Sequence, residues 1–268
     1  AILPFLDIEC RDQLVRAMRD SGIDLRLGAS VESVSIADDE SVIVQFKEGG
    51  RLQCDVLLWA AGRESNSIDI GLESVGLTPG ERGLIEVDSH YRTKVPSIFA
   101  AGDVIGFPAL AATSMEQGRI AACSMFGLEF KTHLADTLPM GLYTIPAVSC
   151  IGVTEQQATG KAVVGRASYR SNVRGRMLGD DAGLLKCIFD RESRALLGAT
   201  IVGEQATELI HIAQAAMAGR LGIDYFIQAC FNYPSLAELY KYAAYDALKC
   251  SAATRPDAGR SSVRAAAA

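Results

Sequence analysis

Apolar and polar positions follow two rhythms along this chain, and the rhythm changes several times. Across 7–21, DIECRDQLVRAMRDS, Leu14, Val15 and Met18 recur at helical spacing. Asp7 can cap the start of this helix and Gly22 can end it. IDLRL, VESVSIA, SVIVQF and RLQCD then read as short strands parted by ADDE and KEGG turns, which predicts a β-meander. DVLLWAAGR, residues 55–63, is apolar on both faces up to Gly62, as a central parallel strand should be. IFAAGD, residues 98–103, repeats that design and ends on an acid. Residues 109–126 read as a helix whose entrance is punctuated by Gly106 and Pro108.

Around Pro139 the organisation changes. IPAVSCIGVT, KAVVGRASY, GLLKCIFD and ALLGATIVG read as strands, and residues 206–219 and 235–249 as helices. Strands grouped before helices predict an α+β domain after the alternating first part. The expected fold class is therefore α/β plus α+β. Residues 251–268 lack a periodic apolar face and are expected to be a disordered tail.

Composition narrows the chemistry. Of 268 residues, 49% are hydrophobic and 22% charged, with a net charge of −6, which speaks against a nucleic-acid surface. No apolar run is long enough for a membrane span, so neither nucleic acid nor membrane is expected as a partner. The seven cysteines include no CxxC and the three histidines have no ligand spacing, so a disulfide framework and a metal site are both poorly supported. Reduced thiols in a cytoplasmic protein are the simplest reading. The chain opens on AILPFLD without a Met or a signal-peptide pattern, and is expected to begin within a larger protein.

In open α/β sheets, ligands lie at the carboxyl ends of strands, and this chain presents two such ends, AAGR and AAGD. Asp103, in a loop before a helix, is placed to accept hydrogen bonds from sugar hydroxyls. The helix start near Ala111 and Ala112 offers unpaired N–H groups and the positive end of a dipole. A ligand with a polyol and a ring that becomes anionic would use both, and reduced flavin is one. The plainer alternatives are that Asp103 caps the next turn, Gly62 serves a turn and Arg63 is a solvated loop charge.

The stretch TKVPSIFAAGDVIGFPALAATSMEQGRIAA resembles the second flavin-contacting motif of the two-dinucleotide flavoprotein reductases, class I of the pyridine nucleotide-disulfide oxidoreductases. Glutathione reductase and dihydrolipoamide dehydrogenase belong to this family. The resemblance implies that Gly102, Asp103, Ala111 and Ala112 bind FAD, with Asp103 on the ribityl chain and the two alanine amides at the pyrimidine edge. DVLLWAAGRESNS resembles the end of the family's NAD(P) domain, which implies that Gly62 and Arg63 lie beside the nicotinamide nucleotide. IPAVSCIGVTEQQA resembles the start of its interface domain. The implied division is 1–69 as the C-terminal part of the NAD(P)-binding domain, 70–137 as that of the FAD-binding domain, and 138–250 as the dimerisation domain. Self-association through 138–250 is implied with it. No G-x-G-x-x-G occurs in the chain, so the resemblance places both pyrophosphate cradles upstream of Ala1. The chain alone is then expected to bind FAD weakly or not at all and to be inactive.

Disulfide reductases of this family end with a His before Pro and a Glu five positions after that His. Here the stretch is FNYPSLAE: Tyr233 stands where the His would be, and Glu238 is kept. A phenol with a pKa of about 10 is a poor base for thiolate chemistry near neutral pH. The resemblance therefore points to the transhydrogenase branch, with FAD as cofactor and NADPH and NAD as substrates. No catalytic residue is firm; Tyr233 either packs at a subunit interface or lies near the flavin. Ser235-x-x-Glu238 also fits a capping box, and capping is the main role expected of Glu238. His211, Met217, Tyr240 and Tyr245 read as core or interface residues. A disulfide reductase and a non-enzymatic dimerisation module are the alternatives.

Overall fold

The computed structural model describes residues 1–158 and 160–253 of the chain. It separates into two units: Ala1–Gly28 joins the chain from Thr137 onward, and Ala29–Asp136 forms the other.

The chain opens with helix α1, Ile8–Asp20, whose first amides at Glu9 and Cys10 donate to the Asp7 side chain. Its inward stripe is Cys10, Leu14 and Val15, all buried. Ser21 and Gly22 end it, and the IDLRL stretch that follows is not a strand. The predicted meander is then present with three strands, β1 Val31–Ile36, β2 Val42–Phe46 and β3 Arg51–Cys54, in antiparallel order β1-β2-β3. Val44, which pairs with both Val34 and Leu52, is the strand residue here that is fully buried.

Two expected strands are corrected. Residues 55–63 and 98–102 belong to no strand among the described residues, apart from one bridge between Arg92 and Phe99, and Asp103 opens a 3₁₀ turn, Asp103–Ile105. A strand that is apolar on both faces needs neighbours on both edges, and no described segment supplies them. Val56, Leu58 and Trp59 are consequently exposed. Every described strand pair is antiparallel. Helix α2, Ala111–Phe126, forms where expected and ends on the left-handed Gly127.

The unit that resumes at Thr137 is built on a five-stranded antiparallel sheet. Its strands are β4 Met140–Leu142, β5 Val148–Gly152, β6 Ala162–Ser168, β7 Leu184–Asp190 and β8 Leu196–Val202, in the order β4-β5-β8-β7-β6. The short β4 and the helices α3 Val173–Leu178 and α5 Ile223–Gln228 are not foreseen by the sequence pattern; each is too brief to show a period. Helices α4, Ala206–Ala218, and α6, Leu239–Ala253, complete the unit. Both sheet faces are covered. Leu185, Cys187 and Phe189 of β7 meet the core of α4, α5 and α6, while Val148 of β5 and Val202 of β8 meet Leu6, Cys10 and Leu14 of the N-terminal segment. This two-sided burial explains why β7 and β8 read as near-continuous apolar runs. On the helix side, Phe226 stacks on Tyr240 at 5.2 Å, and the Tyr240 hydroxyl donates to the Leu209 carbonyl.

The expected capping box at Ser235 and Glu238 is absent. A single 3₁₀ turn, Leu236–Glu238, precedes α6, and Ser235 makes no side-chain cap. Its hydroxyl is buried without a hydrogen-bond partner among the described residues, while its carbonyl accepts from Asn172. His211 is exposed on α4 and bonds Gln214 rather than entering the core; Tyr240 is fully buried and Tyr245 is exposed. Helix α6 runs through the first three positions of the expected tail, and residues 254–268 lie outside the described residues.

Candidate cofactor site

The two glycine-terminated loops meet. In the unit of residues 29–136, the Arg63 guanidinium donates from Nη1 to Asp103 Oδ2 at 2.5 Å. Sequence reading assigns these residues to two different nucleotides; the structure brings them together, along with Gly62 and Gly102 beside them. An ion pair of this exposure is worth about 0.2–1 kcal/mol, too little to organise the loops alone.

Backbone contacts do the organising. The Gly102 amide donates to Gln117 Oε1 on α2 at 2.7 Å. Gly102 has φ 85°, and a Cβ there would sit 3.2 Å from Ser114 Oγ, so this turn lies tight against the helix and favours glycine. The Ile85 amide donates to the Val104 carbonyl, tying the next residue of the loop to the 80–85 segment. On the other side, the Ser65 amide donates to the Arg82 carbonyl and the Ser67 hydroxyl to the Gly83 carbonyl. Arg82 Nη2 donates to the Arg63 carbonyl at 2.8 Å.

The result is a cleft of about 470 Å³ with Arg63, Arg82, Asp103 and Phe107 among its walls. Helix α2 starts at Ala111 with Leu110 before it, and among the described residues no side chain caps its first amides. Ala111 and Ala112 are exposed. Sixteen residues of helix thus present an uncapped positive end in the same unit as an accessible carboxylate. A polyol and an electron-rich ring are chemically suited to this donor set, and FAD carries both. Tyr233, 69% exposed, and Glu238 belong to the other unit.

Sequence reasoning missed Arg82, Gln117 and Ser67. The side chain of each makes one hydrogen bond to distant backbone, a contact that no local spacing announces.

A second polar constellation lies in the unit that contains the five-stranded sheet. Lys186, on the α1 side of β7, is 1% exposed and places Nζ 2.8 Å from Asp7 Oδ1, 2.9 Å from Glu9 Oε2 and 2.5 Å from Glu155 Oε2. Arg166 reaches the same Glu9 and Glu155. Burial alone would push the Lys186 ammonium down, but hydrogen bonds to Asp7, Glu155 and Glu9 hold it well above the usual lysine range. Burial would likewise raise Glu9; Lys186 and Arg166 outweigh it and hold the carboxyl below its usual range. Its cations and carboxylates pair with one another, which marks a structural cluster. Among the described residues no group of side chains is arranged to hold a metal ion, and no helix is long and apolar enough to cross a membrane. Cys10 and Cys187 are buried thiols pushed far up by desolvation, and Cys150 is pushed up to about 11 for the same reason.

Residues 1–118 match the family model for pyridine nucleotide-disulphide oxidoreductases, and residues 138–244 match that family's dimerisation domain. The soluble pyridine nucleotide transhydrogenases of Hahella chejuensis and of Enterobacter sp. strain 638 are each 43% identical over 253 residues, covering 92% of this chain and 54% of theirs. Among solved structures, LpdA of Mycobacterium tuberculosis superposes with a TM-score of 0.82 at 27% identity, covering 91% of this chain and 54% of that one. The HOCl-induced flavoprotein disulfide reductase RclA of Escherichia coli gives 0.83 at 28%, covering 95% and 57%. The chain spans about half the length of the curated relatives it matches. With two models of one family accounting for most of its residues in the family's order, the chain belongs to the pyridine nucleotide-disulphide oxidoreductases.

Proposed function

We propose that this chain is part of a FAD-dependent transhydrogenase that passes hydride between NADPH and NAD. The observation that carries the reading is the 43% identity to soluble pyridine nucleotide transhydrogenases across 92% of the chain. The cleft is consistent with it. Asp103 would accept from the ribityl hydroxyls, the amides of Ala111 and Ala112 would face the electron-rich edge of the ring, and Gly102 would keep the approach open. Gly62 and Arg63 would border the nicotinamide nucleotide. When bound, flavin supplies a ring that takes up and releases hydride; the residues of this chain bind it, orient it and set the charge around it.

In this reading residues 1–69 and 70–137 contribute to NAD(P) and FAD binding, and 138–250 to self-association. The protein acts in the cytoplasm with its thiols reduced. Tyr233 in place of a titrating imidazole favours hydride exchange over dithiol chemistry, because hydride exchange needs no proton carrier at that position.

The experiment is Asp103→Asn in the flavin-loaded protein that carries this chain. Loss of a charge-assisted acceptor predicts FAD affinity weaker by about 10- to 100-fold. Unchanged affinity would remove Asp103 from the flavin site. Stopped-flow mixing of the enzyme, first with NADPH and then with NAD, reads the reaction: a flavin that NADPH reduces and NAD does not reoxidise would exclude the transhydrogenase.

A further inference from the structure

We propose that Arg82 is a positioning residue for this cleft, acting through Arg63 on Asp103. The inference rests on the reading of Asp103 as a flavin ligand.

Three observations carry it. Arg82 is held at φ 57° and ψ 22°, a left-handed conformation uncommon for a residue with a side chain. That backbone turn lets the Arg82 carbonyl accept from Ser65 while its own guanidinium reaches back to the Arg63 carbonyl. The 80–85 segment also holds the opposite loop, through Ile85 and Val104. One short segment therefore clasps both glycine-terminated loops, and Arg82 is the member whose side chain reaches the residue that touches Asp103. The Arg63–Asp103 contact is exposed and weak, so its geometry depends on where the Arg63 backbone is kept. Fixing that carbonyl limits the directions from which the Arg63 side chain can leave, and directs it at the carboxylate.

Two variants separate side chain from backbone. Arg82→Gly tolerates the left-handed turn and removes the whole side chain; Arg82→Lys keeps an aliphatic stem and a donor for the Arg63 carbonyl. In the 268-residue chain without flavin, amide hydrogen exchange over residues 62–67 should quicken by about 3- to 10-fold in R82G, the range of one lost hydrogen bond, and return toward wild type in R82K. In the flavin-loaded protein, R82G should weaken FAD by a similar factor, R82K should restore most of it, and R82G should add nothing once Asp103 is Asn. Unchanged exchange in R82G overturns the proposal. So does an R82G effect on FAD of the same size with or without Asp103, which would make Arg82 an independent ligand. An Asp103→Asn variant with normal FAD affinity sinks the flavin reading and this inference together; a weakened D103N beside an unaffected R82G sinks the inference alone.

Discussion

Lys186 and Asp7 lie 179 positions apart in sequence and make a hydrogen-bonded ion pair of 2.8 Å, both side chains 1% exposed. Asp7 performs two tasks with one carboxylate. It caps α1 by accepting from Glu9 and Cys10, and it receives the ammonium of β7 and the amide of Glu155. The pair thus fastens the N-terminal helix to a sheet that the chain reaches only after the whole 29–136 unit.

Replacing Lys186 with Met should destabilise the chain by about 3–5 kcal/mol, because the buried Asp7 loses its cation. Urea denaturation measures this. Adding Asp7→Asn to the same chain should recover part of the loss, since the unpaired charge goes with it. A K186M chain as stable as wild type would mean that solvent reaches the cluster.

Stability should fall at both ends of the pH scale. Glu9 has a depressed folded pKa, so its contribution is complete above the ordinary carboxylate value of about 4.3 and is lost as pH drops through the depressed value. Asp88 and Asp190 act in the same direction, held low first by backbone amides at Arg92 and Ser193. Lys186 and Cys150 have raised values; their contributions are complete below the unfolded pKa and are lost as pH climbs, through about 11 for Cys150. Melting temperature against pH should show a plateau between these limbs. K186M should flatten part of the alkaline limb, and an unaltered limb would assign it to the thiols and tyrosines.

Gly165 on β6 lies against the backbone of α6, where an added Cβ would collide with the Ala243 carbonyl. Gly165→Ala should cost about 1–3 kcal/mol or more, since helix and strand must part. A thermal melt reads the loss. Gly179→Ala is the comparison: it has open space at a left-handed position, so its smaller loss comes from backbone strain alone.

The helices α1, α2 and α4 and most strands are legible in the chain because their apolar periods run for several residues. The parallel strands at 55–63 and 98–103 are misread because two-sided hydrophobicity records a need for neighbours and not their presence. Asp103 and Arg63 stand out beside glycines at the ends of apolar runs, but their contact spans forty positions and leaves no local pattern. Lys186 is the hardest case. Within LLKCIFD it reads as the polar interruption of a strand, and only three acids drawn from two distant segments make its burial possible. The Ser235–Glu238 spacing fits a cap, yet a 3₁₀ turn and the Asn172 contact take precedence there.

Trp59 is the single indole of the chain, and it stands 67% open to water in the apolar stretch that has no strand beside it. Its fluorescence is therefore a built-in gauge of that stretch. Emission from the chain as it stands should be that of a hydrated indole, readily quenched by small ions. Any polypeptide that lays a strand along residues 55–61 must dry the ring, shift its emission to shorter wavelength and shield it from the quencher, with no label attached.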